Sequence, residues 1–100
     1  SPEMLGGIVK LQLNRIVKRI AENHKIRFSY DQPVVDHIVS RCTELASGGR
    51  MIDAILTNSM LPTLSTGLLG RMAEGVHVEE IAVSVASDEL AYAYVEAGRP

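Results

Sequence analysis

Residues 81–95 read IAVSVASDELAYAYV, and this stretch decides the fold class. Apolar side chains alternate with small or polar ones along 81–86 and again along 90–95, which is the period of a β-strand. Residues 87–89, Ser-Asp-Glu, form a short polar link between the two runs. The pattern predicts a β-hairpin at the end of a chain whose other segments have mainly helical periodicity.

The N-terminal segment predicts a long helix followed by a short strand. Ser1 suits the N-cap, Pro2 the first helical position, and Glu3 the positive end of the helix dipole. Apolar residues from Leu5 to Ile20 recur on one side, Leu11 points to the polar side, and the helix is predicted to end near His24. Residues 26–30, IRFSY, then alternate as a strand with one apolar face.

Two further helices are predicted between this strand and the hairpin. The first starts at Pro33 and ends at residues 47–49, Ser-Gly-Gly. The second runs from about Arg50 to Glu74, and Pro62 within it removes the hydrogen bond to the Asn58 carbonyl and is expected to bend it. Its predicted buried side consists of eight apolar residues: Ile52, Ile55, Leu56, Leu61, Leu64, Leu68, Leu69 and Met72. The fold class is therefore α+β, with three helices and a small three-stranded sheet in the order α-β-α-α-β-β, as one domain over residues 1–100.

Composition excludes several classes of protein. The longest apolar runs are far shorter than the ~20 residues of a membrane span, and no basic-then-apolar leader opens the sequence. The single cysteine, Cys42, cannot form an internal disulfide, which fits a reducing compartment such as a cytoplasm. Residues 1–30 hold six Lys/Arg and two acidic residues, a net charge of +4, whereas residues 31–100 hold four Lys/Arg and ten acidic residues, a net charge of −6. We nevertheless expect no nucleic-acid partner. No aromatic residues interleave with the basic ones, so a solvated helix face, or one facing an acidic neighbouring domain, is the favoured interpretation.

Few residues of the sequence are arranged in a way that suggests catalysis. No GxxxxGK[ST] phosphate-binding run is present. His37 and Cys42, five residues apart on one helix, diverge by some 140° and are not expected to share a metal or form a nucleophile pair. His24 and His77, and the acid pairs at 79–80 and 88–89, are interpreted as solvated groups. We therefore expect neither a metal site nor a catalytic residue within this chain.

Arg50 is the unusual charge. It follows Gly48 and Gly49 and opens a helix, where the dipole already contributes about half a positive charge. Such a cation becomes favourable if an external anion sits there, facing the backbone N–H groups and the guanidinium together. The alternative from spacing alone is an exposed arginine that costs a few tenths of a kcal/mol.

Residues 47–56, SGGRMIDAIL, resemble the sensor-2 region of Clp/Hsp100 AAA+ ATPases, in which a Gly-X-Arg element opens a helix of the C-terminal lid domain. Gly48, Gly49 and Arg50 match that element, with Gly49 where alanine is common. The resemblance extends over essentially all 100 residues and matches the small domain of the second AAA+ module. It implies that Arg50 reaches the terminal phosphate of ATP, and that a preceding large domain supplies the phosphate-binding loop and the Mg²⁺ ligand. It also implies that the 100 residues alone are not an enzyme.

Within this family, the run at 41–44 (RCTE), the run at 47–53 and the run at 61–65 (LPTLS) resemble the ClpV branch, the ATPases of bacterial type VI secretion. The implied partners are the preceding large domain, neighbouring subunits of a hexameric ring, and the contracted secretion sheath as protein substrate. By itself the 100-residue chain is expected to be a monomer. The alternatives are the lid of a ClpB-like disaggregase and a free-standing protein-interaction module.

Overall fold

A computed structural model describes residues 1–44 and 49–97. The helices are α1 (Pro2–His24), α2 (Gln32–Glu44), α3 (Gly49–Ile55) and α4 (Leu61–Ala73), with a π-helical segment (Leu56–Met60) between the last two. The strands are β1 (Arg27–Tyr30), β2 (Val78–Ala86) and β3 (Glu89–Glu96). Because α3, the π-helical segment and α4 follow one another without a break, they form the single third helix that was predicted. The α-β-α-α-β-β order is confirmed.

The ends of α1 are set by local chemistry. The Ser1 hydroxyl accepts a hydrogen bond from the Met4 N–H at 3.3 Å, which satisfies one of the free donors of the first turn. Lys25, after the last helical residue, is left-handed at φ 57° and donates its N–H to the Ala21 carbonyl. This left-handed residue turns the chain directly into β1.

The sheet has the order β1-β2-β3. Strand β1 lies parallel to β2, with Phe28 beside Ile81, and β2 lies antiparallel to β3, with Ile81 beside Tyr94. The hairpin turn consists of Ser87 and Asp88, both at positive φ (51° and 61°), as in a type I′ turn. This turn fixes the strand register and places Ile81 and Val83 in the core.

The disturbance predicted at Pro62 takes the form of the π-helical segment. The Leu61 N–H bonds to the Leu56 carbonyl five residues back, rather than four. The wider turn lies immediately before the proline, which has no N–H to contribute to the helix. The helix therefore continues through Pro62 as α4.

The core is a single apolar cluster between the helices and one face of the sheet. Two predicted core residues are wrong: Leu69 is 62% exposed and Met72 is 53% exposed. The buried row on this helix is Met60, Leu64 and Leu68, and a row at four-residue spacing rotates by about 40° per step, so it turns away from the core before Met72. Met60, fully buried, was missing from the predicted set.

Candidate nucleotide-sensing site

Arg50 is the second residue of α3, and its side chain is exposed. Neither of the ion pairs found among the described residues involves it. Gly48, the first glycine of the predicted element, lies outside the described residues, as do residues 45–47. Gly49 is exposed, and among the described residues a methyl group placed on it would meet no atom within 4 Å. The described part of the site is thus an open helix start with one cation.

The remainder of α3 is held firmly beneath this open end. Ile52 is fully buried, two residues after Arg50. On the next turn Asp53 accepts a hydrogen bond from the Gln12 side-chain amide of α1 at 3.0 Å. The start of α3 is therefore held by the core through Ile52 and joined to α1 through Asp53, and Arg50 leaves the domain from this held segment.

The Gln12–Asp53 contact was not predicted. The two residues are 41 positions apart, and neither lies in a motif. Only the crossing of α1 over α3 brings them together. No periodicity or spacing in the sequence carries that signal.

Cys42 and His37 have different surroundings. Cys42 is buried in the core, and burial raises the pKa of its thiol, which keeps it protonated and unreactive. His37 faces the hairpin turn, with its Nδ1 3.9 Å from an Asp88 carboxylate oxygen. Within residues 1–44 and 49–97, no group of three or more His, Cys, Asp or Glu side chains is placed to hold a metal ion.

One of the solvated acids was interpreted wrongly. Glu80 accepts a hydrogen bond from the Ser29 hydroxyl at 3.2 Å and pairs with Arg27 at 3.5 Å. These three side chains lie on the face of the sheet opposite the core, where Arg27 and Glu80 are register partners. The carboxylate therefore links β1 to β2 instead of only solvating the surface.

Comparison with known proteins decides the family. Residues 1–83 match the family described as the C-terminal, D2-small domain, of ClpB protein. The chain belongs to this D2-small family. The resemblance of the chain to the small domain of Clp/Hsp100 ATPases is thereby confirmed.

The relatives of this D2-small domain are much longer proteins. The AAA+ ATPase ClpV1 of Pseudomonas aeruginosa is 50% identical over 97% of the chain, which corresponds to 11% of ClpV1. Chaperone protein ClpB of Yersinia enterocolitica is 34% identical over 65% of the chain and 7% of that protein. ClpB of Gloeobacter violaceus is 33% identical over 67% of the chain and 8% of its own length. The chain is thus a C-terminal small domain of a Clp ATPase, most like ClpV.

In the described ranges, no helix combines the length and the apolar content that crossing a bilayer requires.

Proposed function

We propose that this D2-small domain is the lid of a ring-forming AAA+ ATPase and that Arg50 senses the terminal phosphate of ATP. The observation that carries the proposal is the exposed arginine at the open start of α3, in a chain whose relatives include an AAA+ ATPase. A guanidinium in this position can donate to phosphate oxygens, and the exposed Gly49 leaves the approach open.

The residues fit one part of a nucleotide site. Arg50 supplies a cation for phosphate oxygens, whereas the described side chains include no carboxylate cluster suited to Mg²⁺. In our proposal the preceding large domain holds the metal and the phosphate-binding loop. Arg50 then stabilises negative charge on the terminal phosphate as the lid closes.

The rigid attachment of α3 explains how such sensing moves the domain. Ile52 in the core and the Gln12–Asp53 hydrogen bond join the start of α3 to the rest of the fold. A force on Arg50 therefore moves the whole lid, rather than only one side chain. We propose that this motion passes hydrolysis energy to neighbouring subunits of a hexameric ring.

Similarity to ClpV supports a proposal for the substrate. We propose that the full-length protein acts in the bacterial cytoplasm and disassembles contracted type VI secretion sheaths. The second candidate is a ClpB-like disaggregase, which the ClpB family match and the two ClpB relatives favour. Purified contracted sheaths and a heat-aggregated enzyme, each incubated with full-length protein and ATP, separate the two. Sheath disassembly without rescue of the aggregate supports the first, and the reverse supports the second.

The nucleotide role is tested by Arg50→Ala in the full-length protein. We expect ATP hydrolysis to fall by about 10²-fold, the loss seen when one preorganised donor to a transition state is removed. Arg15→Ala, which removes another exposed cation on α1, is the matched control and should keep wild-type turnover. If both variants hydrolyse ATP at the wild-type rate, Arg50 is a surface residue and the proposal is wrong.

A further inference from the structure

The outer edge of β3 is a row of backbone groups that no described strand covers. The sheet order is β1-β2-β3, so β3 pairs with β2 on one side only. It is also long for an edge strand, with eight residues from Glu89 to Glu96. Proteins usually shorten, bend or charge such edges, because an unpaired edge accepts another strand.

The register shows which backbone groups face outward. The two-residue turn makes Ala86 and Glu89 a hydrogen-bonded pair, and hydrogen-bonded and non-hydrogen-bonded pairs alternate from there. Leu90, Tyr92 and Tyr94 therefore direct their N–H and C=O groups away from β2. These N–H and C=O groups are available to a fourth strand.

Two cavities adjoin the same three residues on the helix-facing side of the sheet. One, of about 470 Å³, is lined by Leu90, Tyr92 and Ile55 and by polar side chains, among them His37 and Arg41 of α2 and Asp88 and Glu89 at the hairpin turn. The other, of about 540 Å³, is lined by Tyr92 and Tyr94 together with α4. Thr63 lines both cavities. Since Leu90, Tyr92 and Tyr94 are spaced by two residues, alternate side chains of an added strand would come beside successive cavities.

Tyr94 forms a fixed wall of the second cavity. The Arg71 guanidinium stacks on its ring at 3.9 Å from the centroid and donates to the Gly67 carbonyl at 3.0 Å. A methyl group on Gly67 would overlap the Tyr94 hydroxyl. Burial raises the pKa of the Tyr92 and Tyr94 hydroxyls, so both walls stay uncharged near neutral pH.

The acidic residues at the two ends of β3 indicate which kind of strand would pair with its outer edge. In an antiparallel pair, two opposite residues direct their backbone groups either both toward each other or both away, so an outward residue of β3 pairs only with an outward residue of the second copy. The register centred on Tyr92 would place Asp88 opposite Glu96 at both ends, and like charges directly opposite are destabilising. Asp88, with its side chain 98% exposed, adds a further negative charge beside Glu89. The β3 strand itself contains no Lys or Arg. These charges disfavour self-pairing and favour a strand with basic ends.

We propose that the outer edge of β3 binds an extended peptide from another protein, with basic residues at its ends and apolar residues at alternate positions, as a fourth strand of the sheet. The peptide main chain pairs with Leu90, Tyr92 and Tyr94. Its apolar side chains pack beside Leu90, Tyr92 and Tyr94, which line the two cavities, and its basic ends face the Asp88–Glu89 corner and Glu96.

The test uses the 100-residue chain labelled with ¹⁵N and the peptide acetyl-Lys-Val-Thr-Val-Thr-Val-Lys-amide. We expect the amide resonances of Leu90, Tyr92 and Tyr94 to shift on titration while those of α1 do not. The same peptide with glutamate for both lysines should bind about tenfold or more weakly. Alternate amides of the peptide point to its two opposite edges. N-methylation of the amides on the edge that pairs with β3 should also weaken binding by about tenfold. N-methylation of the amides on the other edge should not.

Matched variants of the protein locate the site. Thr63→Phe places a ring at the residue that lines both cavities and should abolish the shifts, whereas Thr57→Phe, at an exposed threonine of the π-helical segment that lines neither cavity, should not. Glu89→Lys should reverse the preference, so that the glutamate-ended peptide binds better. Unshifted β3 amides with the lysine-ended peptide, or a stable dimer joined through β3 in sedimentation, would overturn the proposal.

Discussion

Arg50 and Ile52 lie two residues apart on α3, and their surroundings are opposite. Ile52 is fully enclosed by the core, while Arg50 projects from an open helix start. The core position explains why α3 lies where it does. The surface position is not explained by packing within the domain, since neither of the ion pairs among the described residues uses Arg50.

The contrast between Arg50 and Ile52 separates two requirements on α3, folding of the domain and binding of a phosphate. A helix start that contributes only to folding would gain from an acid or a polar cap, because its dipole is positive there. An arginine in that place gives up a small amount of stability. Its benefit, in our account, comes from a phosphate that the isolated domain does not hold.

The largest expected effect is the complete loss of hydrolysis in the 100-residue chain. Its core is assembled, but the sequence has no GxxxxGK[ST] run to hold the phosphates. A phosphate-release assay on the purified chain, with its fold checked by circular dichroism, should give the rate of buffer alone. Turnover that disappears in the Arg50→Ala variant would show that the chain is an ATPase in itself.

The next effect is on stability. Ile52→Ala should lower the free energy of unfolding by about 2–5 kcal/mol, because it truncates a fully buried side chain. Urea denaturation measures it, and Thr57→Ala at an exposed position is the control, expected within about 0.5 kcal/mol of wild type. An equal loss for Arg50→Ala would remove the contrast between the two positions.

A smaller effect is expected at Gly67, where α4 meets β3. Gly67→Ala should destabilise the fold by about 1–3 kcal/mol, because the new methyl group overlaps the Tyr94 side chain. Gly70→Ala, one turn along in open space, is the matched control and should be neutral or stabilising by up to about 1 kcal/mol. In a Tyr94→Ala background the two substitutions should become equivalent in thermal unfolding, and a persisting difference would show that the overlap is not the cause.

The smallest effect is expected beside Arg50. Gly49→Ala places a methyl group in open space, so stability should change by less than about 0.5 kcal/mol. Hydrolysis by the full-length protein should be retained, because alanine is common at the matching position of the family. A loss of hydrolysis approaching that of Arg50→Ala would mean that phosphate approaches closer to Gly49 than we propose.

Much of the fold was predictable because local signals in the sequence agree with the elements of the structure. The cap at Ser1, the alternation in residues 81–95 and the proline inside the third helix each have a local physical cause, and each was placed correctly. Leu69 and Met72 were misplaced because the row of buried residues on α4 rotates by about 40° per four-residue step and turns away from the core. The Gln12–Asp53 contact and the two cavities along β3 arise only when distant segments meet.

The candidate site was predicted through resemblance more than through physics. Spacing alone does not decide whether Arg50 belongs to an anion-binding site or is an exposed surface charge, since both interpretations place it at a helix start. The structure describes that exposed position, and the family match gives the ATPase context. The phosphate contact itself stays a prediction.

Nucleotide discrimination tests the central claim most directly. The dissociation constants of ATP and ADP are measured for full-length wild type and Arg50→Ala under non-hydrolysing conditions, such as a slowly hydrolysed ATP analogue. If Arg50 contacts the terminal phosphate, the variant should bind the ATP analogue about 10–100-fold more weakly, since one charge-assisted hydrogen bond contributes about 1.5–3 kcal/mol. ADP, which lacks that phosphate, should bind as before. An unchanged ratio of the two constants in the Arg50→Ala variant would contradict the account.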